Sequence, residues 1–146
     1  MVTAAEMIGA WRLVWWENRD DAGNVTYPFG ADAVGYLVYT AEGIAVMELM
    51  TAGRENYAGG DILRGTLEER AAAAGTYRAY AARWEPLANR VRLTFLTSLY
   101  PNRVGTTDEL YVDHTDDPNQ MIIRTSPLLS DGKLQVNRFL WERVVG

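Results

Sequence analysis

The chain contains no cysteine, a single histidine and a single lysine. The missing cysteines remove disulfides, thiolate nucleophiles and cysteine-ligated metal together. His114 is the only imidazole, so a histidine-dependent triad has one candidate base, and no serine stands in a nucleophile elbow. His114 also falls in an acidic turn, His114-Thr115-Asp116-Asp117-Pro118-Asn119, which lacks the spacing and the terminal glutamate of a calcium loop. It reads as a solvated loop residue, and no metal is expected. No phosphate-cradling glycine loop follows an apolar run, so no nucleotide cofactor is expected either.

Positive charge is thin as well. Lys and Arg total 14 against 19 Asp and Glu, giving a formal charge of −5, and the arginines are scattered. A nucleic-acid or anionic-membrane partner needs a clustered basic surface, so neither is expected. No apolar run approaches the roughly eighteen residues of a membrane-spanning helix. Met1-Val2-Thr3-Ala4-Ala5-Glu6 has neither a basic nor an apolar leader character, so no secretory signal is expected and the location is expected to be cytoplasmic.

What is present is a chain of 146 residues, 48% apolar and 23% charged, the profile of one ordinary globular domain spanning 1–146. Its apolar residues alternate. Met7 to Glu17 reads as a first strand, with Trp11, Leu13 and Trp15 on one face and Arg12, Val14 and Trp16 on the other. Turn residues at 20–24 and Tyr27-Pro28-Phe29-Gly30 interrupt the chain, and Val34–Thr40 and Ile44–Met50 form a hairpin about Ala41-Glu42-Gly43. Thr51 to Gly65 is a long polar loop, of the kind that covers an entrance. Thr66-Leu67-Glu68-Glu69 is a capping box opening a short helix that ends at Gly75. Strands follow at 77–85, 89–100, 108–113, 121–125 and 136–145. About eight strands, one helix and no alternation of strand with helix predict an all-β fold. Closure into an eight-stranded antiparallel up-and-down barrel removes exposed edges and leaves room for side chains or one small ligand.

Gly9-x-Trp11-x-Leu13 resembles the first-strand motif of the lipocalin and fatty-acid-binding (calycin) barrels, and Leu140-Trp141-Glu142-Arg143-Val144 their last strand. Pro28-Phe29-Gly30, Val34 to Gly43 and Pro101-Asn102-x-x-Gly105 are similar to the pattern of bacterial and fungal lipocalin-like domain proteins, which are small intracellular barrels. The resemblance implies a barrel with a closed base, a mouth under the loop and helix, and Arg143, or alternatively Arg138, covering Trp11. Leu93, Thr94 and Phe95 stand where it would lead one to expect a histidine, and Leu110 and Tyr111 where it would lead one to expect an arginine. A ligand that is less charged or differently held is the implication.

The aromatic residues that alternate along the strands either fill a core or line a cavity, and the tyrosines tip the balance toward a cavity, since a buried phenol needs a partner. The expected lining is Trp15, Leu37, Tyr39, Met47, Tyr80, Trp84, Phe95, Thr97, Tyr100, Tyr111, Phe139 and Trp141. Tyr27, Arg54, Tyr57, Tyr100, Asn102 and Arg103 are expected at the mouth. Arg78, Arg83, Arg92, Arg124 and Arg138 are expected on the solvated outer face. Glu48, between Met47 and Leu49, joins them unless it points inward, where desolvation would raise its pKa and make it an acid or base. Tyr39, Thr97 and Tyr111 are the candidate polarising groups. The function expected is binding of a small, mostly hydrophobic molecule, by a monomer or homodimer, with cofactor-free cyclisation or isomerisation of it. The alternative is a non-catalytic carrier or sensor, and a third reading is a solid-core interaction module.

Overall fold

Alternation of apolar side chains lets a sheet bury one face by rolling up. The computed structural model, which describes residues 1–146, contains ten strands: β1 (Gly9–Asp20), β2 (Val25–Thr26), β3 (Val34–Tyr39), β4 (Ile44–Met50), β5 (Tyr77–Leu87), β6 (Arg90–Ser98), β7 (Thr107–His114), β8 (Gln120–Arg124), β9 (Leu128–Ser130) and β10 (Lys133–Arg143). The eight longer ones pair in the order β1-β3-β4-β5-β6-β7-β8-β10, and β10 returns to β1, closing an antiparallel up-and-down barrel. The short β2 and β9 extend the hairpins at the mouth by pairing with β1 and β10. Two helices accompany the barrel, α1 (Ala4–Met7) and α2 (Leu67–Gly75). No helix is long and apolar enough to cross a membrane.

The base is closed by the chain's first residues. Thr3 and Glu6 form a capping box that starts α1, a signal present in the sequence, although the expected first strand ran back to Met7. Trp11 lies beneath α1 and donates from Nε1 to the Met7 carbonyl at 2.9 Å. Arg143 covers its ring, with Cζ 4.3 Å from the centroid. The guanidinium also donates to the carbonyls of Ile8 at 2.9 Å and Glu6 at 2.8 Å, fastening α1 to the last strand. Gly9 adopts φ +134°, and a Cβ there would stand 2.7 Å from Arg143 Nη1, so the position needs glycine for both its backbone and its space.

Two bulges set which side chains face inward higher in the barrel. In β1, Leu13 pairs with Trp141 but Trp15 pairs with Leu140, leaving Val14 as an extra residue. An extra residue reverses the in-out alternation beyond it. Trp11 and Leu13 face inward below the bulge, and Trp16 and Asn18 are the buried inward pair above it. Trp15 is turned outward, with Arg138 stacked on its ring at 5.5 Å, which corrects its expected place in the lining. In β6, Ala82 pairs with Phe95 and Ala81 with Thr97, so Leu96 is the extra residue. Thr97 is thereby exposed on the outer face and Ser98 takes the inward position, a second correction with the same cause.

Candidate functional site

The base-side half of the interior is solid and the other half is open. Near the base, Trp84 packs its ring edge against Tyr39 at 5.0 Å and donates from Nε1 to the Thr40 carbonyl at 3.1 Å. Trp84 faces the interior as expected but fills it, contributing no cavity wall. Above this layer lies a cavity of about 550 Å³ that reaches the surface between the end of α2 and the 3-10 turn Pro101–Arg103. This volume is typical of small-molecule sites.

One wall is a column of rings. Trp16 stacks on Phe139 at 5.4 Å and Phe139 on Trp141 at 6.3 Å, both nearly parallel, while Phe29 meets Trp16 edge-on at 4.9 Å. Trp16 Nε1 donates to Asn137 Oδ1 at 3.1 Å, which fixes the indole and leaves its face to the column. Leu37 and Met47 from the β3–β4 hairpin, and Leu110 and Ile123 from β7 and β8, add apolar lining. Of the expected lining residues, the structure brings Leu37, Tyr39, Met47, Tyr80, Tyr100, Phe139 and Trp141 to this cavity. Phe95 is buried behind it, edge-on to Tyr80 at 4.9 Å and under Arg103 at 4.8 Å.

Two further candidates are placed elsewhere. Tyr111 lies on the outer face, covered by Arg124 at 4.2 Å and Arg90 at 5.7 Å. Its neighbours at ±2, Glu109 and Asp113, pair with Arg90 and Arg124 and belong to that same outer face, whereas Leu110 lines the cavity and Val112 is buried. That carboxylate spacing was available in the sequence. Glu48 is also outside, exposed and accepting a hydrogen bond from the Tyr77 hydroxyl at 2.8 Å. The bond and burial together hold the Tyr77 phenol above its ordinary pKa. The four groups expected to do chemistry are therefore dispersed, and Tyr39 alone lines the cavity.

The polar groups of the cavity lie mostly in its mouth half: Arg78, Tyr80, Ser98, Arg103, Asp108 and Asn137. Arg78 corrects the expectation that the strand arginines face solvent. It sits second in β5, paired with buried Leu49, and its guanidinium lies over the rings of Trp16 at 4.9 Å and Phe139 at 5.9 Å. It is only half-buried and faces the open cavity, yet burial first and the charge of Arg103 second pull its pKa down to about 10. It therefore stays charged at neutral pH. Burial pushes the Tyr80 phenol up to about 12 and holds Tyr39 well above the ordinary phenol value, so both are hydroxyl donors. Tyr39 is 1% exposed, and its hydroxyl has no partner.

Among the other expected mouth residues, Arg103 and Tyr100 line the cavity, while Tyr27, Arg54, Tyr57 and Asn102 do not. Arg54 and Tyr57 instead tie together the loop and helix of residues 51–75, the lid whose last residues, Ala74 and Gly75, line the cavity mouth. Arg54 donates to Thr76 Oγ1 and the Ala73 carbonyl at the end of α2, and the ring of Tyr57 lies so close to Gly65 that a Cβ there would stand 2.6 Å away. Glu69 accepts from the backbone N–H of Ala58 at 2.7 Å and of Thr66 at 2.8 Å, which holds its carboxyl below the usual value. Helix α2 has no buried residue, so the lid is fastened by polar ties with little apolar packing.

Two solved structures are similar to this chain at low identity. A lipocalin-like protein from Bacteroides uniformis ATCC 8492 is 7% identical, with a TM-score of 0.49 over 95% of this chain and 99% of that one. An uncharacterized protein from Bacteroides eggerthii DSM 20697 is 11% identical, with a TM-score of 0.46 over 94% of this chain and 99% of that one. No curated protein matches the sequence. A closed barrel with a plugged base and an aromatic cavity is capable of holding a small hydrophobic molecule. The model of the lipocalin-like domain matches residues 8–144, and the chain belongs to that family.

Proposed function

We propose that the protein is a non-catalytic carrier or sensor that encloses one small, mostly hydrophobic organic molecule. The observation that carries this reading is the open half of the barrel, walled by the Trp16–Phe139–Trp141 column and edged at its mouth by the end of the lightly packed α2. Titration with the neutral dye N-phenyl-1-naphthylamine tests it. Saturable fluorescence enhancement at one dye per chain is expected, and Leu110→Trp, which fills the cavity, abolishes it. Dye binding that survives this substitution would place the dye elsewhere and sink the reading.

Cyclisation or isomerisation of the bound molecule is the second reading. It is favoured by the Tyr39 hydroxyl, a buried donor without a partner that could polarise a substrate carbonyl. Incubating the protein with whatever molecule co-purifies with it separates the two. Altered product distribution, lost in Tyr39→Phe, supports chemistry, and an unchanged molecule supports carriage.

A further inference from the structure

Most arginines in this protein are engaged by acceptors of the protein itself. Arg12, Arg19, Arg64, Arg90, Arg92, Arg124 and Arg138 are in ion pairs. Arg54, Arg70 and Arg143 donate to carbonyls. Arg83 is free, but it is exposed on the outer face, where water solvates it. Arg78 and Arg103 are different, because both line the cavity and neither guanidinium makes a hydrogen bond or an ion pair.

Each of these two lays one face of its guanidinium on a ring, Arg78 on Trp16 and Phe139, and Arg103 on Phe95. A stacked guanidinium is held in plane, and its N–H edge remains available for a bidentate acceptor. Placing two like charges in one partly desolvated space is unfavourable unless something of opposite sign completes it. The protein supplies little. Asp108, the one carboxylate of the lining, is exposed at the rim and pairs with neither arginine. The hydroxyl of Tyr80 beside them, and that of Tyr39 deeper toward the base, add further donors and no negative charge, so the cavity offers donors in excess. This positive interior runs against the net charge of −5 of the whole chain.

We propose that the ligand is an amphipathic organic acid, whose carboxylate is held jointly by Arg78 and Arg103 while its apolar body lies along the Trp16–Phe139–Trp141 column. The proposal rests on the binding reading above and names the chemical class of its ligand.

Displacement of N-phenyl-1-naphthylamine by the matched pair decanoate and decanamide tests it. The wild type is expected to prefer decanoate by about ten-fold or more, the scale of a charge-assisted bidentate contact. The preference falls to about two-fold or less in Arg78→Met and in Arg103→Met, is partly retained in Arg78→Lys, and grows in Asp108→Asn. Reading a ratio within each variant cancels any general loss of affinity. If Arg78→Met does not fold, Arg103→Met and Arg78→Lys carry the comparison. Equal displacement by the two compounds overturns the proposal, as does a preference that survives both arginine substitutions. If the dye itself does not bind the wild type, it is the carrier reading that fails, and this one with it.

Discussion

Arg143 lies over the ring of Trp11 at 4.3 Å and at the same time closes the space in which a Gly9 side chain would have to sit. Three residues far apart in sequence thus share one volume. Gly9→Ala combines positive-φ strain with a contact too close to keep, and is expected to destabilise the fold by about 1–3 kcal/mol. Trp11→Ala, which empties a fully buried site, is expected to cost about 3–5 kcal/mol. Urea unfolding followed by tryptophan fluorescence measures both. A Gly9→Ala midpoint equal to the wild type would show that the base yields more easily than its geometry indicates.

Trp15 and Trp16 are adjacent in sequence and opposite in role. Trp16→Leu removes the end of the ring column and is expected to weaken N-phenyl-1-naphthylamine binding by roughly ten-fold, about 1.4 kcal/mol. Trp15→Leu removes an outer-face stack on Arg138 and is expected to leave the dye affinity within about two-fold, with a stability change under about 1 kcal/mol. Fluorescence titration of the two variants side by side decides it, and equal losses would mean that the bulge at Val14 is misassigned.

The lid depends on Glu69. Glu69→Ala removes the acceptor for the Ala58 and Thr66 amides, and faster hydrogen exchange is expected across 56–66 while the barrel strands keep their protection. Ligand association and dissociation are both expected to accelerate in stopped flow. Because the Glu69 carboxyl titrates below its ordinary 4.5, its contribution to lid closure is complete above that pH and is lost as pH falls through the depressed value. The Ala58 amide shift, followed by NMR, should report a midpoint below 4.5.

Asp20 closes the turn between β1 and β2. It accepts from the backbone N–H and side-chain amide of Asn24 and from Lys133, which together push its pKa down to about 2 from an ordinary 3.8. A depressed carboxylate stabilises the folded state fully above its unfolded pKa and loses that effect as pH falls through the folded value. Asp20→Asn is therefore expected to lower Tm by a constant amount from pH 7 to about 5. The difference shrinks below 3.8 and closes toward pH 2. Paired thermal melts across that range check the sign, and a gap that widens on acidification would contradict it.

The barrel, the hairpin about Ala41–Gly43 and the helix after Thr66 were legible because alternation and capping are local signals. So was the base, from Gly9, Trp11 and Arg143 in motif-like positions. The site was legible only in part. Leu37, Met47 and Tyr39 lie in strands of regular alternation, and their direction follows from their neighbours. Trp15 and Thr97 lie just beyond bulges, and no residue type at Val14 or Leu96 announces an extra position. Arg78 was missed for a different reason. An arginine in a strand reads as solvent-facing until the tertiary structure shows two aromatic rings beneath it.

The extra residue at Val14 gives the barrel two storeys with separate bookkeeping of length. Below it, the floor is fixed by Trp11, Leu13 and Trp141; above it, the identity of every inward side chain on β1 depends on how many residues precede it. Deleting Val14 would exchange Trp16 for Trp15 on the inner wall without changing a single residue type, and the same holds for Leu96 on β6. A change of chain length at either joint thus rewrites that strand's whole share of the upper wall while the floor stays as it is. Insertions and deletions there can alter what the barrel accepts faster than substitutions can.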